Sequence, residues 1–503
     1  MTTGRLEGNR WWLLLAIAVA VLFALRALAL IDATSLWGDE LSSARKAFQP
    51  SLGFLLDYLR EDTHPPLYYL LLWACGRIGP QTAAALRAFS WIAYLLGGIT
   101  ITALVARIAV PLPLARRRLA IGSAVLLAFC SPFPVRFSIE GKGYSLLVLG
   151  VALSLLCRCR WLDGGRRLGL LAYGGSIAAA SLTHYYGLFH GLCLAGWDLW
   201  RFLRSGDRRR PPLVATAVVG VLPSLGWIWY SRRYLLSGGE AGSWIGRPDW
   251  ALVEDTLARL LGPAPLLKLA VIALGCWAWR RLCRRPGGEE ALAPPPGWLD
   301  AGGVLPAVLL VVGVVGVSFF KPLAFARYFV VVLPALVVAV SVGLAVQPVP
   351  LPGWPRRAAV AAVVLTVVLF WHDAFLTLDP AGVFRGSREQ NDFRSIVLLT
   401  REEPLRFSPR PHHFRTAEQL LVNRGTLARP GSPWRHNSEL EALLAAEDPP
   451  AHFVLAATSG PRSVQRRVAA TLEQVEALGY RCRRRLPDRP HIRLLVCKPE
   501  GAP

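Results

Sequence analysis

Charge is scarce in this chain. Only 18% of its 503 residues are Asp, Glu, Lys or Arg, whereas 53% are hydrophobic, which excludes a disordered or collagen-like chain. Acidic residues are scarcer than basic ones, 33 against 56, for a formal net charge of +23. Lysine supplies only five of the basic residues, a skew that reads as coding bias rather than function. Three features are lacking altogether: a tandem repeat, zinc-type cysteine spacing, and a small-residue cleavage site after the first apolar run. The last absence makes that run an expected anchor. What is abundant is apolar sequence in blocks. Uncharged stretches long enough to cross a bilayer recur through residues 11–378 and then stop, which excludes a soluble multidomain enzyme.

Apolar runs between charged clusters predict spans at 11–31, 82–106, 119–138, 143–161, 168–185, 187–203, 213–231, 263–281, 301–320, 323–346 and 357–378. The strongest basic clusters are Arg116–Arg118, Arg158/Arg160/Arg166/Arg167, Arg208–Arg210, Arg280/Arg281/Arg284/Arg285 and Arg356-Arg357. With Arg5 and Arg10 they fall on one side if the N-terminus is inside and the chain crosses eleven times. The segment 65–80 tests that parity. Counting it as a crossing would put every later cluster on the wrong side. Two prolines open it and Arg77 interrupts it, so it reads as an interfacial helix on the outer face. The inner segments then hold 21 basic and 6 acidic residues, and most of the positive excess is an orientation signal, not a nucleic-acid surface.

The expected fold is an all-α polytopic membrane protein, N-in and C-out, with outer juxtamembrane helices in the loop 32–81. The transmembrane domain spans 1–379, and a small outward-facing soluble α/β domain spans 380–503. In that tail Phe393–Thr400 opens a helix, Ala451–Thr458 reads as a strand and Val464–Leu478 as an amphipathic helix. Tyr480–Leu486 and Ile492–Lys498 read as two strands around the turn Pro487–Pro490. If they form a hairpin, Cys482 and Cys497 face each other, either as a disulfide on an oxidising outer face or as two ordinary thiols.

Polar residues in a membrane protein are expensive and therefore informative. Five groups fall on the expected outer side. Ser35–Ser43 carries Asp39 and Glu40 at the start of a short helix, whose backbone N–H groups favour ionised carboxylates. An ionised carboxylate is what a general base needs to take a proton from a hydroxyl. The second group, Thr63–Tyr69, carries His64. The third, Arg136–Tyr144, carries Arg136, Glu140, Lys142 and Tyr144. The fourth is Thr183–Gly187, with His184 and Tyr185, and the fifth is Lys321–Tyr328, with Arg327 and Tyr328. Each alone has an ordinary explanation as a helix cap, an interfacial aromatic or a snorkelling cation. Together they compose a site for an anionic, sugar-bearing ligand at the bilayer surface.

This pattern resembles the GT-C superfamily of membrane glycosyltransferases, in its bacterial protein-O-mannosyltransferase-like and aminoarabinose-transferase-like branch. The matching features, in family order over roughly residues 10–345, are Trp37-Gly38-Asp39-Glu40, His64-Pro65-Pro66-Leu67, Glu140-x-Lys142-x-Tyr144, His184-Tyr185-Tyr186-Gly187 and Ala326-Arg327-Tyr328-Phe329. Lys142 departs from the pattern, which carries Arg there. The resemblance implies a polyprenyl-phosphate-linked sugar donor and transfer to a lipid, glycan or protein acceptor on the outer face of the cytoplasmic membrane. Asp39 is the implied base and Glu40 the fallback; Arg327, Lys142 and Arg136 would stabilise the donor phosphate. His64, Glu140, Tyr144, His184, Tyr185 and Tyr328 would bind substrate. No cofactor or metal and no nucleic acid is expected. The rival is a transporter or lipid-carrier flippase, whose polar residues should cluster at the bilayer midplane in related halves.

Overall fold

The computed structural model describes residues 3–236, 245–283, 293–347, 372, 392–444, 446, 448–458, 462–485 and 492–501. The chain divides into two compact units: one comprises residues 1–28, 53–70 and 90–378, the other 29–52, 71–89 and 379–503. Two segments of the stretch between the first span and α5 therefore group with the tail.

The helices follow the apolar blocks. They are α1 (Thr3–Ala29), α2 (Gly38–Ala47), α3 (Leu52–Arg60), α4 (Leu67–Ile78), α5 (Ala83–Ile108), α6 (Leu114–Cys130), α7 (Pro132–Ser138), α8 (Tyr144–Leu162) and α9 (Arg167–Thr183). Then come α10 (Tyr185–Ser205), α11 (Arg210–Tyr230), α12 (Arg232–Leu236), α13 (Trp250–Leu261), α14 (Pro265–Cys283), α15 (Trp298–Ala301), α16 (Val304–Ser318) and α17 (Leu333–Ala345), with a 3-10 segment Ala326–Val332 before the last. Among the described residues, five helices are long and apolar enough to cross a membrane, or up to seven if each bent pair is one span. Ten of the eleven expected spans fall on helices, but those at 168–185, 187–203 and 301–320 are not among the helices long and apolar enough to cross, and the eleventh, 357–378, lies outside the described residues. The expected span 119–138 is not one rod. It bends by 48° between α6 and α7, because Pro132 has no N–H to continue α6 and instead starts a new helix at Ser131. Likewise 323–346 opens as 3-10 before becoming α-helical. The segment 65–80 holds the short helix α4, whose 12 residues are well below the ~20 a crossing needs.

Small residues set how closely α8–α11 pack. A Cβ on Gly150 would meet Ala180 Cβ at 3.0 Å, and one on Gly187 would meet the Ala180 carbonyl oxygen at 2.2 Å. Without glycine at both places the α9–α10 turn bearing His184 could not close against α8. At the opposite ends of these helices sits a buried ionic cluster. Arg158 donates to Asp198 from Nε and Nη2 at 2.8 and 2.6 Å and to Asp300 Oδ1 at 2.7 Å. Arg210 reaches the same two carboxylates at 2.5 and 2.6 Å. Arg158 and Asp198 are wholly buried. Two arginines counted as orientation charges are thus neutralised inside the helical unit.

In the other unit the tail forms α18 (Phe393–Leu399), α19 (Pro411–Asn423), α20 (Leu440–Leu444) and α21 (Arg462–Ala477) with a five-stranded mixed sheet. Its strands are β1 (Arg406–Ser408), β2 (Trp434–His436), β3 (Phe453–Thr458), β4 (Tyr480–Arg484) and β5 (Ile492–Pro499), in the order β2-β1-β3-β5-β4. β1 runs parallel to β2 and β3, and β5 is antiparallel to β3 and β4. The β4–β5 register sets Cys482 directly against Cys497, and the two are joined in a disulfide. The expected turn Pro487–Pro490 lies outside the described residues. Within this unit Arg394 and Arg424 both bond Asp32, at 2.7 and 2.6 Å. Asn423 donates to the Gln81 carbonyl at 2.9 Å, so α18 and α19 are tied to the loop segments around them.

Candidate active site

The acidic pair after the first span divides its labour. α2 begins at Gly38 and places Asp39 and Glu40 in its first turn, where unsatisfied backbone N–H groups favour negative charge. The Glu40 carboxylate accepts Arg87 Nε at 2.8 Å, Arg87 Nη2 at 2.7 Å and the Trp37 backbone N–H at 3.2 Å. Both partners are almost completely buried. Arg87 spends its remaining donors on the carbonyls of Ile31, Thr34 and Ser35. One guanidinium therefore folds the 31–40 loop around α2, and Glu40 is a fixed ion-pair partner. In the sequence Arg87 is a lone cation within an apolar run, and nothing local signals a partner 47 residues away.

The tail adds His413 to the same unit. Its Nε2 lies 3.4 Å from Ser42 Oγ, and its ring packs where a side chain on Gly38 would begin, at 3.3 Å. Because the Ser42 hydroxyl donates to the Gly38 carbonyl at 3.0 Å, Nε2 is the donor in the Ser42 contact. Burial chiefly, then His412, Arg410 and Arg45, depress the His413 pKa to about 3, although the Asp39 carboxylate acts the other way.

In the helical unit, five of the expected residues gather at the end bearing the α9–α10 turn. His64, Lys142, Tyr144 and His184 line one pocket with Tyr68, Tyr69, Gly143 and Thr183, and Tyr328 packs on His184 with ring centres 4.6 Å apart. Gly143 makes the pocket possible: a Cβ there would meet Thr183 Cγ2 at 3.1 Å and Tyr68 Cγ at 3.3 Å. Arg136 and Glu140 form an i,i+4 ion pair at 3.5 Å beside Lys142, and the Lys142 carbonyl accepts the Ser90 hydroxyl at 3.2 Å. His184 caps α10, its Nδ1 accepting the Tyr186 N–H at 3.2 Å; its proton is therefore on Nε2. Arg327 and Lys142 both act on His184 electrostatically, so the pocket is cationic.

Arg327 is presented by a braced loop. Ser318 Oγ accepts the N–H groups of Leu323 and Ala324 at 3.2 and 2.8 Å, and the Tyr186 hydroxyl donates to the Leu323 carbonyl at 2.9 Å. The guanidinium then lies over the Phe325 ring, 4.9 Å from its centre, a cation–π arrangement that helps to orient it. Tyr185 points to different company: its buried hydroxyl has no hydrogen-bond partner among the described residues and feels the Asp62 carboxylate. Asp62 itself was missed by the sequence reading, although it immediately precedes Thr63-His64.

No family model matches this chain, and neither does any curated protein. Among solved structures, ArnT from Cupriavidus metallidurans in the apo state superposes with a TM-score of 0.54, covering 97% of this chain and 98% of ArnT at 16% identity. The chain has an ArnT-like fold. Two further GT-C structures align less closely. The S. cerevisiae protein O-mannosyltransferase Pmt1-Pmt2 complex bound to the sugar donor has a TM-score of 0.31 at 17% identity, covering 50% of this chain and 36% of that one. Archaeal oligosaccharyltransferase AglB from Archaeoglobus fulgidus also has 0.31, at 16% identity, covering 88% and 59%. As expected from sequence, the ArnT-like fold here is a helical assembly with several apolar helices; the residues of the second to the fifth motif meet at one end of it.

Proposed function

We propose that this protein transfers a sugar from a polyprenyl-phosphate donor to an acceptor hydroxyl at the outer face of the cytoplasmic membrane. The observation that carries the reading is the cationic, aromatic-walled pocket of His64, Lys142, Tyr144 and His184, with Arg327 beside it, in a chain of ArnT-like fold. A phosphate leaving group needs charge stabilisation more than protonation, and Lys142 and Arg327 supply it. Arg136 is engaged by Glu140, so its part is to set the Glu140–Lys142 turn. Tyr144 and Tyr328 offer ring faces on which a sugar can stack.

Asp39 is the base in this reading. Glu40 is held by Arg87 on both oxygens, which suits it to orienting α2 and not to taking a proton. The acceptor oxygen attacks the anomeric carbon as its proton passes to Asp39; the bond from that carbon to the phosphate oxygen breaks, and its electrons leave with the lipid phosphate. One base and one displacement give inversion. The chain is read as eleven crossings, N-in and C-out, with residues 1–379 in the membrane and 380–503 outside, where the Cys482–Cys497 disulfide suits an oxidising compartment. Against a transporter or flippase, the buried ions Arg158, Arg210, Asp198 and Asp300 pair with one another instead of lining a path. The test is transfer of label from synthetic polyprenyl-phosphate sugars by the purified protein in liposomes. The reading expects transfer that Arg327→Ala lowers at least tenfold; wild-type protein that moves the intact lipid across the bilayer but never cleaves it contradicts the reading.

A further inference from the structure

A second cavity, lined by the tail and the segments that group with it, carries charge that sugar transfer does not use. It lies wholly within the unit of residues 29–52, 71–89 and 379–503, and none of the residues assigned above to the donor or the base lines it. Asp32 bridges two arginines there. Arg394 Nη2 donates to Oδ1 at 2.7 Å, and Arg424 Nη1 lies 2.6 Å from Oδ2. Arg394 is fixed further by the carbonyls of Asp32 and Thr34, at 3.1 and 3.3 Å, and by its backbone N–H on Ser35 Oγ at 3.1 Å. The Arg424 side chain is 46% exposed. Two permanent cations against one carboxylate leave a net positive charge. The start of α5 adds to it, because Ala83 and Ala84, its first two residues, line the same cavity. Thr82 Oγ1 accepts the Ala85 N–H at 3.2 Å, so the cap serves the third N–H of the helix and leaves the first two without a helical partner.

The rest of the lining is chiefly apolar, with Leu36, Leu41, Leu420 and Leu421. The cavity measures about 60 Å³, room for a few waters or one small group. A phosphate, with oxygens on every side, would leave some of them against leucine without a donor. A carboxylate has its oxygens at one end and carbon at the other. We propose that this cavity binds a small aliphatic carboxylate, its oxygens on Arg424 and the first N–H groups of α5 and its carbon end on the leucines. Asp32 competes with that ligand for Arg424 and so sets its affinity. Occupancy of this site does not depend on sugar transfer.

The probe is butyrate, titrated by saturation-transfer NMR against the full chain in phosphatidylcholine nanodiscs, with empty nanodiscs as the blank. Butyramide is the uncharged control and inorganic phosphate the competing anion. Wild-type protein is expected to bind butyrate saturably below about 10 mM and butyramide at least tenfold more weakly. The two variants should move in opposite directions. Arg424→Gln is expected to weaken butyrate about tenfold, as for loss of a charge-assisted hydrogen bond. Asp32→Asn is expected to tighten it, since the resident carboxylate is gone while Arg394 keeps the carbonyls of residues 32 and 34. Displacement of butyrate by methyl glucuronide would mark a carboxylate carried on a sugar and its failure a free short-chain acid; both support the carboxylate chemistry. The proposal is overturned if wild-type protein shows no saturable butyrate binding, if folded Arg424→Gln binds butyrate like the wild type, or if folded Asp32→Asn binds it no more tightly. Butyramide that binds as well as butyrate, or phosphate that binds more tightly than butyrate, also overturns it.

Discussion

The buried cluster at the far ends of α8, α10, α11 and α15 permits a quantitative prediction. Asp198→Leu removes the acceptor for two bonds from Arg158 and one from Arg210, at 2.8, 2.6 and 2.5 Å. Counting Arg201 on Asp300 at 3.5 Å and Asp207 on Arg210 at 3.3 Å, three cations and three carboxylates become three cations and two carboxylates. Arg158, wholly buried, keeps only Asp300, through its carbonyl at 2.6 Å and its Oδ1 at 2.7 Å. An ion left behind in this way costs about 3–5 kcal/mol. Removing Arg158 as well restores neutrality, because Arg210 still bonds Asp300 Oδ2 at 2.6 Å. Arg158→Leu/Asp198→Leu is therefore expected to be more stable than Asp198→Leu alone. SDS titration of the purified chain, followed by loss of helical circular dichroism, measures both. A single variant within about 0.5 kcal/mol of wild type, or a double variant less stable than the single, refutes the charge-balance reasoning.

Further outcomes follow from other contacts. Gly150→Leu should prevent α8 from closing on Ala180, whose Cβ already lies 3.0 Å from a Cβ at that position; a chain that elutes as a single sharp peak on size exclusion contradicts the close-packing account. Cys482→Ser/Cys497→Ser should raise hydrogen exchange in β4 and β5 while leaving α8–α11 unchanged, since the bond lies within the tail. His413 predicts an acid-side loss. Its folded pKa of about 3 is below the ordinary value of 6.5, so the unfolded chain takes the proton first. The stability is present above pH 6.5 and falls by up to about 1.4 kcal/mol per pH unit on the way down to 3. His413→Gln should flatten the difference between urea melts at pH 7 and pH 5, and equal slopes in the two proteins contradict a buried neutral ring.

The apolar blocks made most helices legible because their length and spacing are local properties, and the β4–β5 hairpin was legible because its register followed from a single turn. The 48° bend at Ser131 was visible only as Pro132, which the surrounding apolar run masked. β1 and β2 are three residues each, too short for alternation to show. The site was legible as a set of residue types on one expected side, but not as a division of labour. Glu40 and Asp39 look alike in sequence; only Arg87 distinguishes them. His64 and His184 also look alike until their partners, Asp62 and the Tyr186 N–H, make one Nδ1 a donor and the other an acceptor. Long-range partners of this kind leave no periodicity to read.

The most direct measurement compares Asp39→Asn with Glu40→Gln in transfer from a lipid-linked sugar, with the wild-type chain and correct folding as references. Asp39→Asn removes the proposed proton acceptor and is predicted to lower turnover by about 10²–10⁴-fold with donor binding unchanged. Glu40→Gln is predicted to lower stability through Arg87 while the folded fraction keeps turning over. Full activity in a folded Asp39→Asn protein contradicts the account.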